Sequence, residues 1–101
     1  MLADQEPSGI HLLLSGHVQG VGFRYFVKQA ADALDVAGWV RNLRDGRVEV
    51  VLLGTPEAVQ SVLDQIGRGP RGARVDEVMT RSAHSDECRA ATRPLVLLKT
   101  I

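Results

Sequence analysis

Hydrophobic and polar positions alternate along the chain in blocks, and the period within each block assigns an element. Ile10 to Ser15 (IHLLLS) is a short apolar run between Gly9 and Gly16 and predicts a buried strand. From Phe23 the period changes. Phe23, Phe26, Val27, Ala30 and Leu34 recur at helical spacing on one face, and the helix is expected to end near Leu34, with Asp35 as a left-handed cap. Gly38 to Leu43 (GWVRNL) and Arg47 to Leu53 (RVEVVLL) predict two strands, and Asp45-Gly46 between them is a strong hairpin signal. Thr55-Pro56-Glu57 opens a second helix: Thr caps, Pro takes the first helical position and Glu meets the positive end of the dipole. Its apolar face is Val59, Val62, Leu63 and Ile66, and Gly67 is the expected stop. Arg74 to Ser82 predicts a fourth strand through Val75 and Val78. His84 to Arg93 reads as a polar loop, and Leu95 to Ile101 as a last strand whose place in the sheet is open.

The order β-α-β-β-α-β plus a terminal strand predicts an α+β fold. It is a ferredoxin-like sandwich, an antiparallel sheet with two helices on one face. With 101 residues, one domain is expected, taken as 9–101 after a loose tail over 1–8. The 12 Lys+Arg balance 12 Asp+Glu, so no global field draws in nucleic acid or an anionic membrane, and any anion affinity must be local. The N-terminus is acidic and lacks the apolar run of a signal peptide, no stretch is long enough to span a bilayer, and Cys88 has no partner within the chain. A cytoplasmic protein is the expectation.

One junction carries candidate chemistry. Gly16 to Phe26 reads GHVQGVGFRYF, a glycine-rich turn between a strand and a helix. Unpaired N–H groups point outward at such a place, and the helix dipole is positive there. Gly20 and Gly22 let the backbone wrap closely, and Arg24, in the first helical turn, can fold its planar donors over an anion. The Lys-Ser/Thr ending of a nucleotide loop is missing. From these residues alone, phosphate binding and a plain tight turn beside a surface arginine stand level. Asn42 lies on the second strand, where Asn is depleted. By itself it reads as preparing the turn at Arg44-Asp45-Gly46.

GHVQGVGFR, followed by GWVRNLRDGRVEVVLLG and then GPRGARV, resembles the acylphosphatase family, with the family's motifs in the family's order from about Leu12 to about Val78. The resemblance implies the ferredoxin-like fold already suggested by the pattern, and hydrolysis of acyl phosphates to a carboxylate and inorganic phosphate; no metal or other cofactor is expected, because the sequence shows no cluster of carboxylates or histidines to hold a metal. It implies that Arg24 binds the phosphoryl group and that Asn42 holds the attacking water. The backbone of His17, Val18, Gln19, Gly20, Val21 and Gly22 is implied to be the phosphate loop. Asp35 stands where the family commonly has glycine, and LVLL in the last strand where it often has an aromatic.

The remaining candidates read blandly. His17 is expected to contribute its backbone rather than its ring. Arg41, next to Asn42, points to the other sheet face by alternation. His11, His17 and His84 are scattered without ligand spacing, Cys88 is an inert thiol in a polar loop, and Trp39 is core. An RNA-recognition role is disfavoured, because Phe23 and Phe26 fall on a helix face and RVEVVLL has no aromatic for stacking. The alternative to an enzyme is a non-catalytic anion-binding or protein-interaction module of the same fold. The expected partner is a small acyl phosphate substrate, with no nucleic acid and no membrane, and the protein is expected to be a monomer.

Overall fold

The computed structural model describes residues 8–101. The elements are β1 (Ser8–His17), α1 (Phe23–Ala33), β2 (Ala37–Asn42), β3 (Val48–Gly54), α2 (Pro56–Arg68), β4 (Arg74–Ser82), α3 (Ser85–Arg89) and β5 (Val96–Leu97). They form one sheet in the order β4-β1-β3-β2-β5. The first four strands pair antiparallel, and β5 joins β2 in parallel, so the sheet is mixed rather than wholly antiparallel. The parallel edge arises because the chain crosses from β4 to the opposite side of the sheet before β5 begins.

One face of the sheet meets α1 and α2. Leu12, Leu14, Val40, Val48, Val50 and Leu52 pack there against Phe23, Val27 and Ala31 of α1 and Val62 and Ile66 of α2, and all of these are buried. Period-2 alternation in the strands and 3.6-residue spacing in the helices give these positions their common direction. Leu34, expected on the α1 face, is exposed, because the helix ends one residue earlier and Asp35 takes the left-handed turn at φ 57°. β4 departs from alternation. A bulge between Ser15 and Gly16 shifts the register, so Val75 and Val78, three residues apart, both reach the core. Glycine is required at position 16, since a Cβ there would lie 2.1 Å from the Arg74 carbonyl oxygen.

Four boundaries differ from expectation. Of the tail expected over 1–8, residues 1–7 lie outside the described residues, and Ser8 already pairs with Gly54 in β1. Helix α2 runs past Gly67 and ends at Gly69, whose φ of 71° reverses the chain just before Pro70. The polar stretch 84–93 contains α3. A helix this short leaves no periodic signal; it is held by the His84 N–H donating to Glu87 Oε1 (2.7 Å) and by Arg81 donating to both Glu87 carboxylate oxygens (2.9 and 2.8 Å). The last strand shrinks to Val96–Leu97, although the chain continues beside β2 through Leu98 N–H to Val40 O (2.8 Å) and Ile101 N–H to Asn42 O (3.3 Å).

Candidate active site

Helix α1 starts without a capping side chain. Its N-cap is Gly22, and its first helical bond is Phe26 N–H to Gly22 O (3.0 Å). The N–H groups of Phe23, Arg24 and Tyr25 therefore have no acceptor in the turn, and no acidic residue lies in that turn to meet the positive dipole. Gly20 and Gly22 both have φ of 76°, and a Cβ on either would touch nothing within 4 Å. Backbone conformation, not crowding, selects glycine at these two positions, since a side chain there costs about 1–2 kcal/mol.

The loop opens into a cavity of about 190 Å³ lined by Val18, Gly20, Gly22, Phe23, Arg24, Tyr25, Asn42 and Leu97. Arg24 and Asn42, 18 residues apart in sequence, thus line one space. Asn42 reaches it because it pairs with Val48 at the end of β2, on the sheet face turned to the helices. Among the described residues no hydrogen bond engages its amide, and no carboxylate pairs with Arg24. The Arg24 guanidinium makes only a long contact to Leu98 O (3.5 Å). Arg24 is half-buried, whereas Arg44, Arg68 and Arg71, which also lack a carboxylate partner among the described residues, are exposed. The pocket is therefore locally cationic in a chain of zero formal charge.

The six loop residues divide. Val18, Gly20 and Gly22 line the cavity. His17 is the last residue of β1, paired with Arg74, and its ring is exposed. Val21 packs against the core. Gln19 turns its side chain toward the β2–β3 hairpin. Three lining residues were not expected at the site, and one of them, Phe23, was read as core. Tyr25 is 58% exposed, an aromatic beside Arg24 and off the apolar stripe of α1, which is a signal in hindsight. Leu97 left none, because its position depends on where β5 docks. That docking is secured by Lys28, which donates to Leu95 O (2.8 Å), and by Asp32, which accepts the Leu95 N–H (2.9 Å). Burial pushes the Asp32 carboxyl up, but the Leu95 N–H and Lys28 together hold it below the ordinary value.

The histidines are not all scattered. His11 is buried on the sheet face opposite α1 and α2. It meets Glu49 at 2.7 Å and approaches Glu87 at 4.0 Å, and ligand atoms of the three lie within 4.8 Å of one another. Arg41 donates to the other Glu49 oxygen (2.7 Å), and Arg81 holds Glu87. Burial raises the Glu49 carboxyl, yet the His11 and Arg41 hydrogen bonds bring it below its usual value, and the Arg81 hydrogen bond takes Glu87 down to about 2. Both carboxylates are thus already neutralised by arginine, and a cation would have to displace those bonds. The cluster is an ion-pair network under α3 and contributes no residue to the Arg24 cavity. Trp39 belongs to this face too, buried under α3 with its Nε1–H on Glu87 O (3.1 Å) and the Arg41 guanidinium 4.9 Å over its ring.

The acylphosphatase family model matches residues 10–90. An acylphosphatase of Alcanivorax borkumensis is 43% identical over 77 residues, which cover 76% of this chain and 84% of that one. A solved acylphosphatase from Bacillus subtilis is 36% identical with a TM-score of 0.80, covering 89% of this chain and 97% of that one. HypF of T. kodakarensis is similar over a segment, at 28% identity and a TM-score of 0.77, covering 90% of this chain but 12% of that one.

Proposed function

This chain belongs to the acylphosphatase family, and we propose that its cavity hydrolyses acyl phosphates, R–CO–O–PO₃²⁻, to a carboxylate and inorganic phosphate. The observation that carries this reading is that a half-buried arginine and an asparagine amide, both unpaired among the described residues apart from one long Arg24 contact, line a single cavity with the open N–H groups of the glycine loop. Arg24 and the N–H groups hold the phosphoryl oxygens and neutralise charge as it develops. Asn42 holds water through its amide oxygen for attack on phosphorus. As the water–phosphorus bond forms, the phosphorus–oxygen bond to the acyl group breaks, and its electrons leave with the carboxylate. That leaving group is a weak base and needs no acid from the protein. The asparagine amide is a poor proton acceptor, so the water proton passes to a phosphoryl oxygen of the substrate. Such a reaction depends on positioning and electrostatics, which suits a pocket with so few polar groups.

The reaction is read as metal-independent, in keeping with lining residues that offer neither carboxylate nor imidazole. Tyr25 and Leu97, exposed at the mouth, suit an apolar acyl group that remains partly in solvent, which favours broad tolerance for R. The protein is taken as a cytoplasmic monomer; no described helix is long and apolar enough to cross a membrane. A phosphate sensor of the same fold would need the loop and Arg24 but no group placed to hold water.

Benzoyl phosphate hydrolysis in the presence of a chelator tests the reading. Phosphate release that persists with chelator and disappears in Arg24→Ala is the expected result. Binding of phosphate without turnover would establish the sensor instead, and turnover lost on chelation would refute metal independence.

A further inference from the structure

Gln19 lies inside the phosphate loop, yet its side chain does not face the cavity. Its Nε2 donates to Leu43 O at 2.7 Å and to Arg47 O at 2.8 Å. Both partners are carbonyls, which only accept, so the amide orientation is fixed: the NH₂ group, with its two hydrogens, must face the hairpin. Arg47 O also accepts the Leu43 N–H (2.8 Å), so the amide caps a hairpin closure that is already formed. Leu43 follows Asn42 directly in the chain, and Arg47 precedes Val48, the cross-strand partner of Asn42. Among the described residues these are the only hydrogen bonds between the loop 18–22 and the hairpin. The loop's other attachments run to β4 through His17, to the core through Val18 and Val21, and into α1.

We infer that Gln19 is a positioning residue that sets the distance between the phosphate cradle and the Asn42 amide. The inference rests on the hydrolase reading. The cradle holds phosphorus, Asn42 holds the nucleophile, and the two are carried by elements far apart in sequence. In-line attack requires both to be in register, and a misplacement on the order of 1 Å can cost about 10²-fold in rate. Loss of the clamp therefore slows attack while leaving phosphate binding, which belongs to the loop backbone and Arg24, largely in place.

Gln19→Met, similar in length and without a donor, tests this with benzoyl phosphate turnover, inhibition by inorganic phosphate and a thermal melt. The wild type is assayed first; an inactive wild type rejects the hydrolase reading itself. With an active wild type, the expected result is a kcat lowered about tenfold, with the inhibition constant for phosphate changed less than about threefold. In the Asn42→Ala background the same substitution is expected to change kcat less than about twofold, because the group it positions is gone. An unchanged kcat, a weakened phosphate affinity at constant kcat, or an equal loss in both backgrounds overturns the clamp. If Gln19→Met does not fold, Gln19→Asn keeps the amide but is one methylene too short to span both carbonyls, and the same split between kcat and phosphate affinity decides.

Discussion

Two strand-to-helix junctions lie at opposite ends of the sheet and are built in opposite ways. At β3–α2, Thr55 Oγ1 accepts the Ala58 N–H (3.3 Å), Pro56 removes a donor and Glu57 meets the dipole. At β1–α1 the cap is a left-handed glycine without a side chain, the first turn holds no acid, and an arginine is added. The first junction is closed on itself. The second leaves its donors and its positive potential open. Each orphan donor left open forgoes a stabilisation of about 1 kcal/mol that a cap would supply. The asymmetry singles out the end of the molecule proposed as the active site without reference to any motif.

The contrast can be broken from either side. The largest effect is expected from Arg24→Ala, with kcat/KM for benzoyl phosphate down about 10³-fold, since the chief positive charge at the open junction is lost. Asn42→Ala is expected to lower kcat by about 10²-fold while the inhibition constant of inorganic phosphate changes little, because water matters only in the attack. Tyr25→Glu would give α1 the first-turn acid that α2 already has. It is expected to weaken phosphate inhibition about fivefold, equivalent to ~1 kcal/mol, while urea melts show the fold unharmed or slightly steadier. At the closed junction, Thr55→Ala is expected to cost about 1 kcal/mol of stability in the same melts and to leave turnover within about twofold of wild type. A comparable loss of turnover would mean that the two helix ends are coupled.

A control comes from the far face of the sheet. The Glu87 carboxyl titrates at about 2 in the fold and at the ordinary 4.5 when unfolded. A depressed folded value gives stability that is present above the unfolded pKa and fades as pH falls toward the folded one. The stability gap between wild type and Glu87→Gln is therefore expected to be full at neutral pH and to close between about pH 4.5 and pH 2. A gap independent of pH would show that Arg81, His84 and His11 do not act through the Glu87 charge.

Local physics accounts for what was legible in the sequence. The capping triplet Thr55-Pro56-Glu57 and the Asp45-Gly46 turn act over a few residues, so their structures follow from composition alone. Helix α1 appears where periodicity places it, and strand β4 spans Arg74–Ser82 as expected although Val75 and Val78 break its alternation. Asp35 adopts the left-handed conformation that its position at the helix end suggested. The glycines with Arg24 were visible as an ambiguous cradle, and it was family resemblance, not spacing, that joined them to Asn42. The misreadings share a cause. Gly67 and Gly69 are both able to end α2, and the proline after Gly69 favours the second. Helix α3 has little intrinsic tendency to form and is held by Trp39 and Arg81, which both donate to Glu87. His11 looked isolated because its partners lie 38 and 76 residues away.

By itself, the sequence determined β1 to β4, α1 and α2, the uncapped start of α1 and the opposition of Arg41 and Asn42 across β2, because these depend on backbone sterics, helix periodicity and strand alternation. Tertiary structure alone decided three things: that β5 lies parallel to β2 and brings Leu97 to the cavity, that Gln19 ties the loop to the hairpin, and that two arginines neutralise the carboxylates around His11. Each is a contact between segments with no local preference for one another. Only the closing of a shared core brings them within hydrogen-bonding distance.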